Sequence, residues 1–179
     1  MQTVKMVVTG PFNAGKTAFI QSVSEIDVVA TERKITTEAE KVKETTTVAM
    51  DFGRITVDDD LVLYLFGTPG QKRFDFMWEI LSEGMLGFIV MVDSTRPETF
   101  RVARSILQTF RAYAPTPYVV AANKQDMSDA WELDDMRLAL RLDPNIKLLP
   151  CTARKKESVK TVLLELLYSI LAEMETDEA

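Results

Sequence analysis

The chain contains no histidine and a single cysteine, Cys151, among its 179 residues. An intrachain disulfide is therefore impossible, and metal sites or catalytic triads built on imidazole are excluded. Positive charge is in short supply too: 21 lysines and arginines stand against 27 aspartates and glutamates, a net charge of −6. That balance argues against general binding to nucleic acid or to anionic membranes. No apolar run approaches the ~18 residues that a membrane span needs. The apolar stretch after Lys5 is too short for a signal segment and meets Gly10 at once. The acidic tail from Glu173 to Ala179 offers no cysteine for prenylation. A soluble cytoplasmic chain is expected, without a lipid anchor and forming one domain over residues 1–179.

What the chain does have is short apolar runs, bounded by turns and interleaved with helical patterns. Val4–Thr9 ends at Gly10 and is expected to be a buried strand, and Gly87–Val92 and Tyr118–Ala122 are continuous apolar stretches, expected for strands covered on both faces. Thr47–Val57 and Leu61–Phe66 flank Asp58-Asp59-Asp60 and predict an antiparallel hairpin. A last short strand is expected near Lys147–Pro150. Lys16–Val23 is expected to be helical. Thr95-Arg96-Pro97-Glu98 has capping-box spacing and predicts a helix running toward Tyr113. Val159, Leu163, Leu166, Leu167, Ile170, Leu171 and Met174 recur at helical spacing and predict one apolar stripe docking a terminal helix on the sheet. Such alternation implies a three-layer α/β fold, its sheet mostly parallel with one antiparallel edge from the Thr47–Phe66 hairpin. Ser24–Thr46 is polar and is expected to be a solvated loop, a short helix or a mobile switch.

Two motifs fall at expected strand ends, where ligands bind in such sheets. Gly10-Pro11-Phe12-Asn13-Ala14-Gly15-Lys16-Thr17 matches the phosphate-loop pattern G-x-x-x-x-G-K-[ST]. Its glycines let backbone N–H groups converge on an anion, and the following helix adds its positive end. Gly10, Asn13, Ala14, Gly15, Lys16, Thr17 and Ala18 are the candidate phosphate contacts, with Lys16 reaching the β- and γ-phosphates and the Thr17 hydroxyl binding Mg²⁺. Asn123-Lys124-Gln125-Asp126 follows the strand at Tyr118–Ala122. A carboxylate at Asp126 can accept from guanine N1–H and N2–H₂, whereas adenine offers an acceptor at N1 and no amino group at C2. Lys124 can lay its stem along the purine, and Asn123 can tie this loop to the phosphate loop. After the last strand, Thr152 and Ala153 are placed to meet the base, the Ala153 N–H at guanine O6.

Together these residues resemble the Ras-like small GTPases along essentially the whole chain. The resemblance implies GTP and GDP as ligands with Mg²⁺ as cofactor. It implies Thr47 as the switch threonine on Mg²⁺ and Gly67-Thr68-Pro69-Gly70-Gln71 as the counterpart of D-x-x-G-Q. Gly70 N–H would then contact the γ-phosphate and Gln71 would orient the attacking water. Gly67 stands where the family carries an aspartate, and Phe12 and Asn13 replace small residues. In these departures the chain is similar to the prokaryotic MglA-type and conservon-associated GTPases, which implies a roadblock-domain partner. Those MglA proteins carry an arginine where this chain has Thr46; Arg54 is a substitute to be considered. Asp51, four residues past Thr47, is expected on the same strand face and is the candidate to replace the lost aspartate in the outer shell of the metal. Three readings follow: a slow Mg²⁺-dependent GTPase switch, a nucleotide-loaded binding module with negligible hydrolysis, and a small-substrate kinase. Asn123–Asp126 and the lack of an arginine-rich lid speak against the kinase.

Overall fold

The computed structural model describes residues 1–28, 31–35, 46–70 and 74–178, with backbone alone for 31–35 and 46–49. Seven strands form one sheet: β1 (Gln2–Thr9), β2 (Thr31–Ile35), β3 (Thr46–Asp58), β4 (Leu61–Gly67), β5 (Gly87–Asp93), β6 (Tyr118–Asn123) and β7 (Leu148–Cys151). Their order across the sheet is β2-β3-β4-β1-β5-β6-β7. From β4 to β7 every pairing is parallel, while β3 runs antiparallel to both of its neighbours. The helices are α1 (Lys16–Val23), α2 (Phe76–Ser82), α3 (Phe100–Tyr113), α4 (Leu133–Ala139) and α5 (Lys156–Asp177).

Two apolar layers explain the arrangement. On one face Met6, Val8, Leu65, Ile89 and Ala121 pack against Phe19 and Ile20 of α1 and Val159, Leu166 and Ile170 of α5. On the other, Val7, Phe88, Val90 and Val120 meet Trp78 of α2, Phe110 of α3 and Met136 of α4. Every residue of β5 is buried, as a central strand with helices on both sides requires. Full burial of side chains such as Phe88 and Phe110 stabilises the fold by ~1.5–3 kcal/mol each. The α/β fold with a mostly parallel sheet is thus the one the apolar runs predict.

Three local features differ from expectation. The antiparallel edge holds an additional strand, β2, inside the polar stretch 24–46. A strand paired along one side gains its stability from backbone ladder bonds, so no apolar alternation need announce it. The helix expected from Thr95 opens with a 3₁₀ turn at Pro97–Thr99 and no side-chain cap, because the Thr95 hydroxyl donates to Asp93 Oδ1 at 2.7 Å instead. The α5 stripe is buried from Val159 to Ile170, whereas Leu171 and Met174 are exposed.

Candidate functional site

The carboxyl ends of β1, β5, β6 and β7 open onto one cleft of about 860 Å³, lined by both sequence motifs. At its phosphate end the chain leaves β1 through Gly10, turns over Asn13 in a left-handed conformation (φ 65°) and enters α1 at Gly15 (φ 105°). Gly15 is needed for space as well as conformation, since a Cβ there would overlap the Asn123 side-chain amide. Lys16 is buried, and its ammonium donates to the carbonyls of Gly10 (2.6 Å) and Pro11 (2.8 Å). Burial, only partly offset by Asp51, pushes its pKa down to about 8.

Thr17 Oγ1 donates to Asp51 Oδ2 at 2.5 Å, so the structure brings Asp51 to the phosphate loop from β3. Asp51 and Gly67 are cross-strand partners. A Cβ on residue 67 would sit 3.1 Å from Asp51 Cβ and 3.3 Å from its Oδ2. The bare Gly67 of β4 therefore leaves room for the carboxylate of the neighbouring strand. Arg54, three residues further along β3, falls on the opposite sheet face from Asp51 and does not line the cleft. Thr47 pairs through its backbone with Lys34 of β2, four residues or ~13 Å along the strand from Asp51. Its side chain and the whole of Gln71 lie outside the described residues.

After β4 the segment Thr68-Pro69-Gly70 lies on the phosphate loop. Thr68 Oγ1 donates to Thr9 Oγ1 at 2.8 Å, and the Trp78 indole N–H holds the Pro69 carbonyl at 2.9 Å. A Cβ on Gly70 would come within 2.7 Å of both Lys16 Nζ and Phe12 N. Only glycine fits so close to the loop.

The base end is joined to the phosphate end by Asn123. Its Nδ2 donates to the Ala14 carbonyl (2.8 Å), and its Oδ1 accepts from Ala153 N (2.9 Å). One buried amide thus ties three loops together. The Ala153 N–H expected at a base oxygen is engaged by this bond, while Thr152 N accepts no such role either, donating instead to Ser158 Oγ at 2.8 Å. Lys124, left-handed at φ 63°, reaches back to Asp93 Oδ2 at 2.7 Å. Gln125 Nε2 donates to Ser94 Oγ at 2.7 Å. Asp126 is exposed and lines the cleft, as do Met127 and Arg154. Asp93, Ser94 and Trp78 were not among the expected site residues. Asp93 could have been suspected as the carboxylate that ends a wholly apolar run.

No helix among the described residues is long and apolar enough to cross a membrane. No group of three or more Asp, Glu, Cys or His side chains able to hold a metal by itself occurs among them.

The chain is similar to an uncharacterized protein of Methanocaldococcus jannaschii, 28% identical over 152 residues that span 85% of this chain and 88% of that protein. It is 27% identical to ADP-ribosylation factor-like protein 3 of Saccharomyces cerevisiae, across 88% of this chain and 81% of the relative. With Ras-related protein Rab-8B of Homo sapiens it shares 23% identity, across 95% and 79% respectively. A nucleotide-binding, P-loop GTPase-like protein is the common ground of these matches and of the cleft. By the match of residues 8–173 to its model, the chain belongs to the family described as "Conserved hypothetical ATP binding protein".

Proposed function

We propose that this protein is a guanine-nucleotide switch that binds GTP and GDP with Mg²⁺ and hydrolyses GTP slowly, changing its contacts as it does so. The observation that carries this is the Asn123 junction, which sets the Asn123–Asp126 loop and the phosphate loop at one fixed spacing. The family description names ATP, but Asp126 on the cleft wall suits guanine. Its carboxylate can accept from N1–H and N2–H₂, and adenine has neither donor in that position.

The residues present also fit Mg²⁺. That ion prefers one or two protein ligands together with phosphate oxygens and water, which agrees with a Thr17 hydroxyl beside a single Asp51 carboxylate rather than an acidic cage. Thr17 would hold the ion directly and Asp51 through water, and the ion would supply neutralising charge at the β- and γ-phosphates. Lys16 would exchange its loop carbonyls for phosphate oxygens, Gly70 N–H would meet the γ-phosphate, and Gln71 would orient water. Thr47 would join only after β3 parts from β2 at that point. A roadblock-domain regulator and the MglA-type relationship rest on resemblance alone. Gly67 and the missing arginine at Thr46 favour the second reading, a nucleotide-loaded binding module with negligible hydrolysis.

Titrating nucleotide-free protein with fluorescent GDP and ADP, with and without Mg²⁺, tests the proposal. GDP is expected to bind about a hundredfold more tightly or better, and equal affinities would overturn the guanine assignment. Asp126→Asn is expected to shift preference toward xanthosine diphosphate, whose 2-oxo group an amide can serve. Single-turnover hydrolysis of GTP, slowed in Gln71→Leu at nearly unchanged affinity, separates the switch from the binding module.

A further inference from the structure

The guanine reading assigns roles to the carboxylate at Asp126 and to the stem of Lys124, and leaves without one the buried carboxylate that Lys124 bonds to. Asp93 closes β5, directly in register with Asn123 of β6, and is only 2% exposed. Its Oδ1 accepts from Thr95 N (2.9 Å) and Thr95 Oγ1 (2.7 Å). Its Oδ2 accepts from Lys124 Nζ at 2.7 Å, and Arg96 Nε stands 3.8 Å from the same oxygen. Burial alone would favour the neutral acid, but the hydrogen bonds from Lys124 and Thr95 outweigh it and hold the carboxyl below its ordinary range. The two carboxylates are thus treated oppositely. The buried one gathers both neighbouring cations, while Asp126, two residues past Lys124 and exposed on the cleft, has no hydrogen bond or ion pair among the described residues.

We propose that Asp93 is a specificity-determining positioning residue, which by holding the Lys124 ammonium keeps it away from Asp126 and leaves that carboxylate open for the guanine edge. The inference rests on the guanine reading above. A lysine side chain can swing several ångströms, and once released Lys124 has Asp126 close by as an alternative partner in the same loop. An ammonium paired there would occupy the oxygens that guanine N1–H and N2–H₂ require. Adenine makes no use of those oxygens, so the damage would fall on guanine selectively. Asp93 also holds the ammonium end of Lys124, which lines the cleft, so its stem would be free to give the purine an apolar wall.

The test compares the full-length wild type with Asp93→Asn and with Asp93→Asn/Lys124→Met, each titrated with fluorescent GDP and fluorescent ADP. Asp93→Asn is expected to lower the GDP-over-ADP preference by about tenfold or more, chiefly through GDP. Adding Lys124→Met keeps most of the stem but removes the ammonium, and is expected to recover most of that preference. A general loss of loop order would lower both affinities together and would not be rescued by the second change. Asp93→Asn with the wild-type ratio, or a double variant no better than the single one, overturns this inference alone. A wild type without preference for GDP overturns the guanine reading and this inference with it. Should Asp93→Asn fail to fold, the doubly neutral variant decides against wild type, because removing both partners of an ion pair whose carboxylate is buried is milder than removing one. A preference collapsed there as well means that Asp93 does something other than restrain the ammonium.

Discussion

The two ends of the cleft are built differently. At the base end the polar side chains bind distant parts of the chain: Asn123 bonds to Ala14 and Ala153, Lys124 to Asp93, Gln125 to Ser94. At the phosphate end Thr17 also reaches a distant strand, at the carboxylate of Asp51, but the charged group, Lys16, turns back on its own loop, to Gly10 and Pro11. Bonds between distant segments hold geometry whether or not a ligand is bound. Bonds of a charged side chain to its own loop are exchangeable, and an incoming phosphate competes for the same donors. On the proposed function, base recognition would therefore be set in advance, and phosphate recognition would require Lys16 to change partners.

Four measurements would break or sharpen that contrast. Gly15→Ala strikes the joint between the two ends, adding a Cβ onto the Asn123 amide at a left-handed φ of 105°. It is expected to cost ~3 kcal/mol or more in chemical denaturation and to abolish nucleotide binding; a stable, binding-competent variant would mean the ends are independent. Asn123→Ala leaves the Ala14 carbonyl and Ala153 N–H without their partner, an expected loss of ~2–6 kcal/mol at ~1–3 kcal/mol per buried group. If the midpoint of unfolding does not move, the base end is held by something else. Asp51→Ala acts at the exchangeable end. Little change in the stability of the ligand-free protein is expected, with a shift of about tenfold in the Mg²⁺ concentration needed to bind a non-hydrolysable GTP analogue and a smaller shift for GDP. Superimposable Mg²⁺ titrations would remove Asp51 from the metal shell.

The last expected effect is on pH. Lys16 has its pKa depressed to about 8 in the ligand-free fold, below the ~10.4 of an unfolded lysine. Between those values the unfolded chain binds the extra proton, so the contribution of Lys16 makes the ligand-free protein more stable as pH rises. Nucleotide binding follows the opposite course. Phosphate favours the ammonium, so above pH 8 binding must take up a proton, and affinity is expected to fall by up to about tenfold per pH unit. Calorimetry from pH 7 to 9.5 in two buffers of different ionisation enthalpy would read that proton directly. An affinity flat across this range would show that Lys16 already carries its charge before the ligand arrives.

The contrast also explains what was legible in the sequence. The phosphate loop and the Asn123–Asp126 loop are recognisable because their chemistry demands several residue types at fixed spacing, and the apolar runs announce the parallel strands because those are covered on both faces. Asp93 is a single residue at the end of such a run, and its partner lies 31 positions away; no local pattern shows that pairing. The same carboxylate defeated the capping box at Thr95, whose hydroxyl satisfies a buried acid in preference to a helix end. Short helices such as α2 and α4, seven residues each, complete too few turns to display a period. Trp78 is apolar by sequence habit, and only the fold reveals the carbonyl that its N–H holds.

The pairing of Asp51 with Gly67 carries a consequence for how this site can vary. Because the two residues face each other across adjacent strands, and a Cβ at 67 already approaches the Asp51 side chain within 3.1 Å, the two positions behave as alternatives. One strand can present the acid only while the other stays bare. Installing aspartate at 67 alone would crowd two like charges into one gap, and deleting Asp51 alone would leave the gap without an acid. A path from this arrangement to one with the carboxylate on β4 has to pass through a disfavoured intermediate or change both residues at once. Such a pair is an either-or: the acid belongs to one strand or to the other, and the space between them admits one carboxylate.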